Sequence, residues 1–351
     1  MRPSILSLDP PALAEAVASL GQPRFRARQL SEWLYARHAG TWDAMTNLPA
    51  AMRAALAERW LDPEGTLATV EVAGEEGTGT RKVLSRLADG ELVETVLIPA
   101  KDRTTVCVSS QVGCGCGCAF CASGLNGCTR SLASGEIVAQ AAMAARLLGR
   151  RPDNVVFMGI GEPFLNYEAA LAAARRMNDA EPEGLGIGAR RITISTCGVV
   201  PGIGRFAAEG RQFELSVSLH APTDEQRGRL MPVNRRWPLG ELIPACRAYT
   251  ERTGRIITFE YTLVAGFNDR PEDARALLRL LRPFPSRVNL IPLNPVREFD
   301  GRTPSDAVCE AFREALERGG LNATLRRSKG RGVNASCGQL RRARIGRGGP
   351  A

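Results

Sequence analysis

No run of this chain is apolar for anything near the roughly 18 residues that a membrane span requires. The first residues, MRPSILSLDPPALAEAV, lack the basic, then apolar, then small-residue order of a secretory signal. A cytoplasmic protein with no membrane partner is therefore expected. In a reducing compartment ten cysteines do not make a disulfide framework, so metal and catalytic roles come first. Lysine is almost missing. Only Lys82, Lys101 and Lys329 occur, and 43 of the 46 cations are arginine. That skew, beside abundant Ala and Gly, looks like genomic base composition, and it discounts the net charge of +9 as a sign of nucleic-acid binding. The clustered runs LRRSKGRG and LRRARIGRGG near the C-terminus restore part of that sign.

What is present suits a soluble globular protein of one large domain and one smaller one. Residues 1–62 read as helical: PALAEAVASLG, RARQLSEWLYARH and AAMRAALAERWL carry apolar residues at helical spacing. Residues 63–103 read as a connector with one strand, followed by a hairpin whose turn is Ala88-Asp89-Gly90. From residue 104 to 325, six short apolar runs alternate with helical stretches: TTVCVSS, NVVFMGI, RITISTC, FELSVSL, ITFEYTLV and RVNLIPL. Near-continuous apolar strands between helices imply a parallel sheet, either an incomplete barrel or an open doubly wound sheet. In both, working residues gather past the C-terminal strand ends. There the chain places QVGCGCGCAFC, GEPFLN, STCG, SLHAP and NPV. Residues 326–351 form a basic tail.

Four cysteines fall within the eight residues CGCGCAFC: Cys114, Cys116, Cys118 and Cys121. Structural zinc sites usually join two Cys pairs a dozen or more residues apart, and four ligands this close could hardly surround one ion tetrahedrally. A four-iron cubane is larger and is reached more easily from one short loop. Cys114, Cys118 and Cys121 give C-x3-C-x2-C, with the aromatic Phe120 before the last cysteine. Three thiolates on a cubane leave one iron open to chelate a cofactor. This spacing resembles the radical S-adenosylmethionine (SAM) signature. Cys116 then reads as a bystander, and Cys128, Cys197, Cys246 and Cys309 as structural.

Three longer stretches narrow the resemblance: ETVLIPAKDRTTVCVSSQVGC, NVVFMGIGEPFLN and NASCGQL. Together with QPRFRARQLSEWLY, SVSLHAP, EYTLVAGFND and VNLIPLNP, they resemble the radical SAM adenine methyltransferases of RNA along nearly the whole chain. That resemblance implies an α/β fold, a partial (β/α)6 radical-SAM barrel with a small N-terminal helical accessory domain that binds RNA and a connecting β-hairpin. It implies that Cys114, Cys118 and Cys121 hold a [4Fe-4S] cluster. It implies that Gly161, Glu162, Ser195, Ser218, Leu219, His220 and Asn294 contact SAM. Cys337 would carry the methyl group as S-methylcysteine, Cys107 would resolve the RNA adduct, and Glu94 would accept a proton. The chain departs from the family pattern at Cys128, at Ser131, at Cys197, and in the residues before Cys337.

The implied chemistry is consistent with an electron-poor target carbon, which does not attack a sulfonium methyl. A first SAM methylates the Cys337 thiolate, a good nucleophile. A second SAM is cleaved by one electron to a 5'-deoxyadenosyl radical, which takes hydrogen from that methyl. The carbon radical adds to the adenine, and the adduct then loses an electron and a ring proton. Attack by the Cys107 sulfur on the Cys337 sulfur releases the product. The implied partners are 23S rRNA, tRNA as a further candidate substrate, and an electron donor such as flavodoxin. The expected activity is methylation of adenine carbon 2. Two alternatives stand beside it: carbon-8 methylation of rRNA conferring antibiotic resistance, and a non-catalytic iron-sulfur RNA-binding protein. The joint presence of Cys107 and Cys337 counts against the latter.

Overall fold

The computed structural model describes residues 2–74, 77–125, 127–294 and 298–326. Among these, twelve strands follow in chain order: β1 (Leu67–Gly74), β2 (Arg81–Leu87), β3 (Leu92–Ala100), β4 (Arg103–Cys107), β5 (Gln111–Gly113), β6 (Cys128–Ser131), β7 (Asn154–Phe157), β8 (Ile192–Thr196), β9 (Glu214–Ser218), β10 (Ile257–Leu263), β11 (Ser286–Pro292) and β12 (Asn322–Leu325). The chain divides into two compact units.

The first unit comprises Met1–Val112, Arg130–Ile160 and Asn166–Ile192. Its N-terminal part is helical, as the spacing predicts. Helix Pro10–Ala18 starts where Asp9 accepts the Ala12 N–H at 2.9 Å, with proline at the first helical position. Helix Phe25–Ser31 runs on into a wider turn, Glu32–Ala36, and Ala50–Arg59 follows. Leu13, Val17, Leu30, Leu34, Met52 and Leu56 are buried. β1 to β4 then form an antiparallel meander. The β2–β3 hairpin turns at Gly90, whose φ of 91° is open to glycine at no steric cost. On its other edge β4 pairs in parallel with β7. The hairpin is thus continuous, through β4, with the parallel pair β4 and β7.

The second unit comprises Gly113–Thr129, Gly161–Leu165 and the described residues from Thr193 onward. β8 through β12 are all parallel. Their register sorts the side chains into two faces. Ile194, Leu215, Val217, Phe259, Tyr261, Val288 and Leu290 are buried on one; Tyr261 stacks on Phe312 of helix Asp306–Arg318. The other face presents Ser195, Ser216, Ser218, Glu260, Asn289 and Thr324. These strands therefore alternate rather than being apolar throughout, because one face lines a polar interior. β12 is a further parallel strand that the sequence pattern did not disclose; four residues are too few to show a period.

Candidate active site

The cysteine-rich loop belongs to the second unit and is fixed by backbone bonds. The Cys114 N–H donates to the Gly127 carbonyl at 2.8 Å, and the Ala119 N–H donates to the Leu230 carbonyl at 2.9 Å. Gly113 has a φ of 79°, and a Cβ there would sit 2.1 Å from the Gly127 oxygen, so only glycine admits this closure. Cys114, Cys118 and Cys121 are half-buried, while Cys116 is buried. Burial, then the neighbouring Cys121 and Cys114, push the Cys118 thiol up. A hydrogen bond with Cys116, then burial, push the Cys114 thiol up. Crowded neutral thiols on a glycine-rich loop are the donor set that iron deprotonates on binding, so these residues fit a cluster.

Cys116 does not point to open solvent. Its sulfur lies 3.3 Å from that of Cys197, past the end of β8, and both thiols lie close to the Glu162 carboxylate. Two cysteines read as a bystander and a structural residue thus stand against the cluster loop. They are 81 residues apart in sequence, a pairing that no local pattern discloses.

The Gly161-Glu162-Pro163 turn follows β7, with Gly161 at a φ of 108°. The Glu162 carboxylate is turned into the protein. It accepts the Cys197 N–H at 2.6 Å and the Phe164 N–H at 2.9 Å. Burial pushes its carboxyl up despite these bonds. Ser195 and Ser218 share the polar face of the sheet, at the C-terminal ends of their strands. Leu219 is buried, and its N–H and that of His220 both donate to the Glu260 carbonyl. Asn294 is half-buried, just past β11.

His220 is held in a conformation that few residues adopt, with a φ of 57°. Asn268 enforces it: its amide donates to the carbonyls of His220 and Thr262, each at 2.7 Å, and its oxygen accepts the Val264 N–H. The His220 ring accepts the Thr262 N–H at Nδ1, at 2.9 Å. The imidazole proton therefore sits on Nε2. Burial, then the Arg227 charge, push this imidazole down to about 3, so it is neutral. Its ring meets Phe120 of the cysteine loop edge-on, with centroids 4.7 Å apart.

Two site residues lie in the first unit. Glu94 on β3 is buried, and its Oε2 lies 3.4 Å from Lys82 Nζ on β2. Cys107 ends β4 and is buried. Lys82 faces Val96, and Val96 faces Cys107, so Lys82, Glu94 and Cys107 share one face of the meander. The ordinary expectation for a strand glutamate is a solvated face; the register places this one inside. Cys337 lies outside the described residues.

Sequence reasoning missed three residues that hold this geometry: Arg227, Asn268 and Glu260. Arg227 is fully buried, and burial pushes its guanidinium down. Glu260 accepts from Ser216 and Asn289 at 2.8 and 3.1 Å across three parallel strands. The only hint of Asn268 was its place in a turn after a strand, in AGFND.

Comparison with known proteins decides the family. The pattern of the radical SAM superfamily matches residues 108–281, and that of a ribosomal RNA large subunit methyltransferase N-terminal domain matches residues 4–61. A probable dual-specificity RNA methyltransferase RlmN of Symbiobacterium thermophilum is 50% identical, over 94% of this chain and 88% of its own length. The corresponding protein of Moorella thermoacetica is 49% identical over 97% of each. The chain belongs to the RlmN family of radical SAM RNA methyltransferases. A crystal structure of a radical SAM methyltransferase from Sphaerobacter thermophilus is 48% identical and superposes with a TM-score of 0.91, covering 96% of this chain and 98% of that one. The family's partial barrel and helical N-terminal domain are those the motifs implied. Membership makes the chain a transferase that uses a [4Fe-4S] cluster and SAM on RNA. Among the described residues no helix is long and apolar enough to cross a membrane.

Proposed function

We propose that this enzyme methylates carbon 2 of an adenine in 23S rRNA, and of an adenine in tRNA, in the cytoplasm, through an S-methylcysteine and a transient protein–RNA adduct. The observation that carries the reading is the shared face of Lys82, Glu94 and Cys107. A buried thiol outside the cluster motif, on the same face as a buried carboxylate, supplies the resolving sulfur and the proton acceptor that such a route needs. The dual-specificity name of the relatives supports two RNA substrates.

Cys114, Cys118 and Cys121 would hold the cluster, which with SAM supplies the one-electron chemistry that breaks a carbon–hydrogen bond. Glu162 spends its side chain on the turn, so its backbone and that of Gly161 address the SAM amino group. Ser195, Ser218, Leu219, His220 and Asn294 contact the rest of SAM, with the His220 Nε2–H as donor. Cys337 stores the methyl group taken from one SAM, and a second SAM is consumed per turnover. The adduct radical gives up one electron, and Glu94 takes its ring proton. The Cys107 thiolate then forms a bond to the Cys337 sulfur as the carbon–sulfur bond breaks with its electron pair on carbon, and that carbon takes up a proton, which frees the methylated base and leaves a disulfide. A small electron-transfer protein such as flavodoxin is the proposed reductant. RNA treated with the reconstituted enzyme and methyl-labelled SAM, then digested to nucleosides for mass spectrometry, tests the reading. Label in 2-methyladenosine supports it; label in 8-methyladenosine overturns the carbon assignment.

A further inference from the structure

Arg227 lies on helix Asp224–Leu230 with no exposure to solvent. Its guanidinium makes four hydrogen bonds, to Asn234 Oδ1 at 2.7 Å, the Cys197 carbonyl at 2.7 Å, the Trp237 carbonyl at 3.3 Å and the Ser218 carbonyl at 3.4 Å. Every one of these acceptors is neutral. Nε is buried without a partner. The nearby Asp224 carboxylate accepts from Asn234 Nδ2 and the Leu239 N–H at Oδ1 and reaches Arg227 only through its field; among the described residues Arg227 forms no ion pair. A guanidinium stays protonated in proteins, so this is a buried positive charge with no carboxylate in direct contact among the described residues. Such burial is costly unless an anion answers it.

The contacts of Arg227 lead to the cysteine loop. Arg227 Nη2 bonds the carbonyl of Cys197, whose sulfur touches that of Cys116, between the cluster ligands Cys114 and Cys118. Leu230, on the same helix, accepts the Ala119 N–H of the cluster loop. A Cβ on Gly198 would come 2.9 Å from Arg227 Nη2, so the chain keeps glycine there and leaves the guanidinium its place.

We propose that Arg227 is the buried countercharge of the cluster held by this loop, and that it tunes the cluster toward reduction. The proposal rests on the cluster reading above. A cubane on three thiolates is anionic, and reduction adds one more negative charge. A fixed cation in a medium of low dielectric therefore stabilises the reduced form more than the oxidised one. Arg227 acts through the field and touches neither substrate nor SAM; it is a positioning and tuning residue.

The test compares full-length wild type, Arg227→Gln and Arg227→Lys after anaerobic reconstitution, without RNA or SAM. Iron content is measured first, then the midpoint potential, by redox titration of the electron paramagnetic resonance signal of the reduced cluster. Arg227→Gln should hold iron and shift to a more negative midpoint, while Arg227→Lys, which keeps the charge, should stay near wild type. Arg227→Met carries the expectation of the Gln variant should that one not fold. Equal midpoints in Gln and wild type overturn the proposal, and so do equal shifts in Gln and Lys. If both neutral variants fail to fold while Lys folds, the charge is needed without the cofactor, and the proposal falls. Wild type that takes up no iron overturns the cluster reading itself.

Discussion

Lys82 Nζ stands 3.4 Å from Glu94 Oε2 across β2 and β3, and both side chains are almost wholly out of water, at 1% and 2% exposure. In a chain with 43 arginines and three lysines, one lysine occupies this site. Removing one member of a buried pair strands the other charge. Lys82→Met should therefore lower stability by about 3–5 kcal/mol, and the double variant Lys82→Met with Glu94→Gln should recover most of that loss. Urea denaturation of the four corners of this cycle measures the coupling. Additive effects would show that the pair is not a pair in solution. The double variant also separates fold from chemistry: it should be folded yet fail to turn over RNA.

The cluster loop yields a sharper choice among cysteines. Wild-type protein reconstituted without oxygen should carry about four irons per chain if one cubane is bound. Cys114→Ala, Cys118→Ala and Cys121→Ala should each lose it. Cys116→Ala and Cys197→Ser should keep it, because those two buried sulfurs lie against each other and neither belongs to the C-x3-C-x2-C set of half-buried thiols. Iron and sulfide analysis decides this. Loss of iron in Cys116→Ala with retention in Cys114→Ala would mean that the ligand set is a different three.

His220 gives the fold an acid sensitivity with a definite sign. In the folded protein its imidazole stays neutral down to about 3, whereas in the unfolded chain it takes a proton below the ordinary value of 6.5. Between those values the unfolded state binds the extra proton, so stability falls as pH falls, by about 1.4 kcal/mol per pH unit at most. Above 6.5 this contribution is flat. The buried carboxyls Glu162 and Glu260 are pushed up by burial and act in the opposite sense, so the residue must be isolated by difference. Wild type and His220→Gln should respond differently to acid below about pH 6.5, with wild type losing more. Parallel urea midpoints across that window would exclude His220 as the source.

The parts of this site that were legible in the sequence are those whose chemistry is local. The C-x3-C-x2-C spacing, the Gly-Glu-Pro turn and the Ser-Leu-His run each lie within a few residues, so their order survives in one dimension. The strands from β7 to β11 were legible as β-branched runs, and the hairpin as a turn at Gly90. What stayed hidden depends on the fold. Arg227 sits in DEQRGRL, where a charge run reads as a solvated helix face; only tertiary packing buries it. Asn268 and Glu260 act across strands and loops that the chain brings together from positions far apart. The Cys116–Cys197 contact spans β6, β7 and β8 with the helices Ser134–Leu148 and Tyr167–Asn178 between them. The polar face of β8 to β12 was masked by Val, Ile and Phe at the intervening positions, which dominate a short window.

Cys107 carries the last expected outcome. It ends β4, seven residues before Cys114, opposite Val96 on one side and Val156 on the other, with 5% exposure. A buried thiol at such a position is ordinarily a small core hydrophobe, and its replacement by Ala would then cost little beyond a small cavity. The proposed route assigns it a different part: breaking the bond between Cys337 and the adduct carbon. Every step up to adduct formation remains open without it, and release alone is blocked. Cys107→Ala should therefore accumulate a covalent protein–RNA complex during expression, seen on a denaturing gel as heavy material that nuclease removes. Adding Cys337→Ala should abolish that material, since no adduct can form. Glu94→Gln should also accumulate the adduct if that carboxylate takes the ring proton before release. A Cys107→Ala protein that carries its full iron and is inactive, yet bears no RNA, would place Cys107 before the adduct rather than after it.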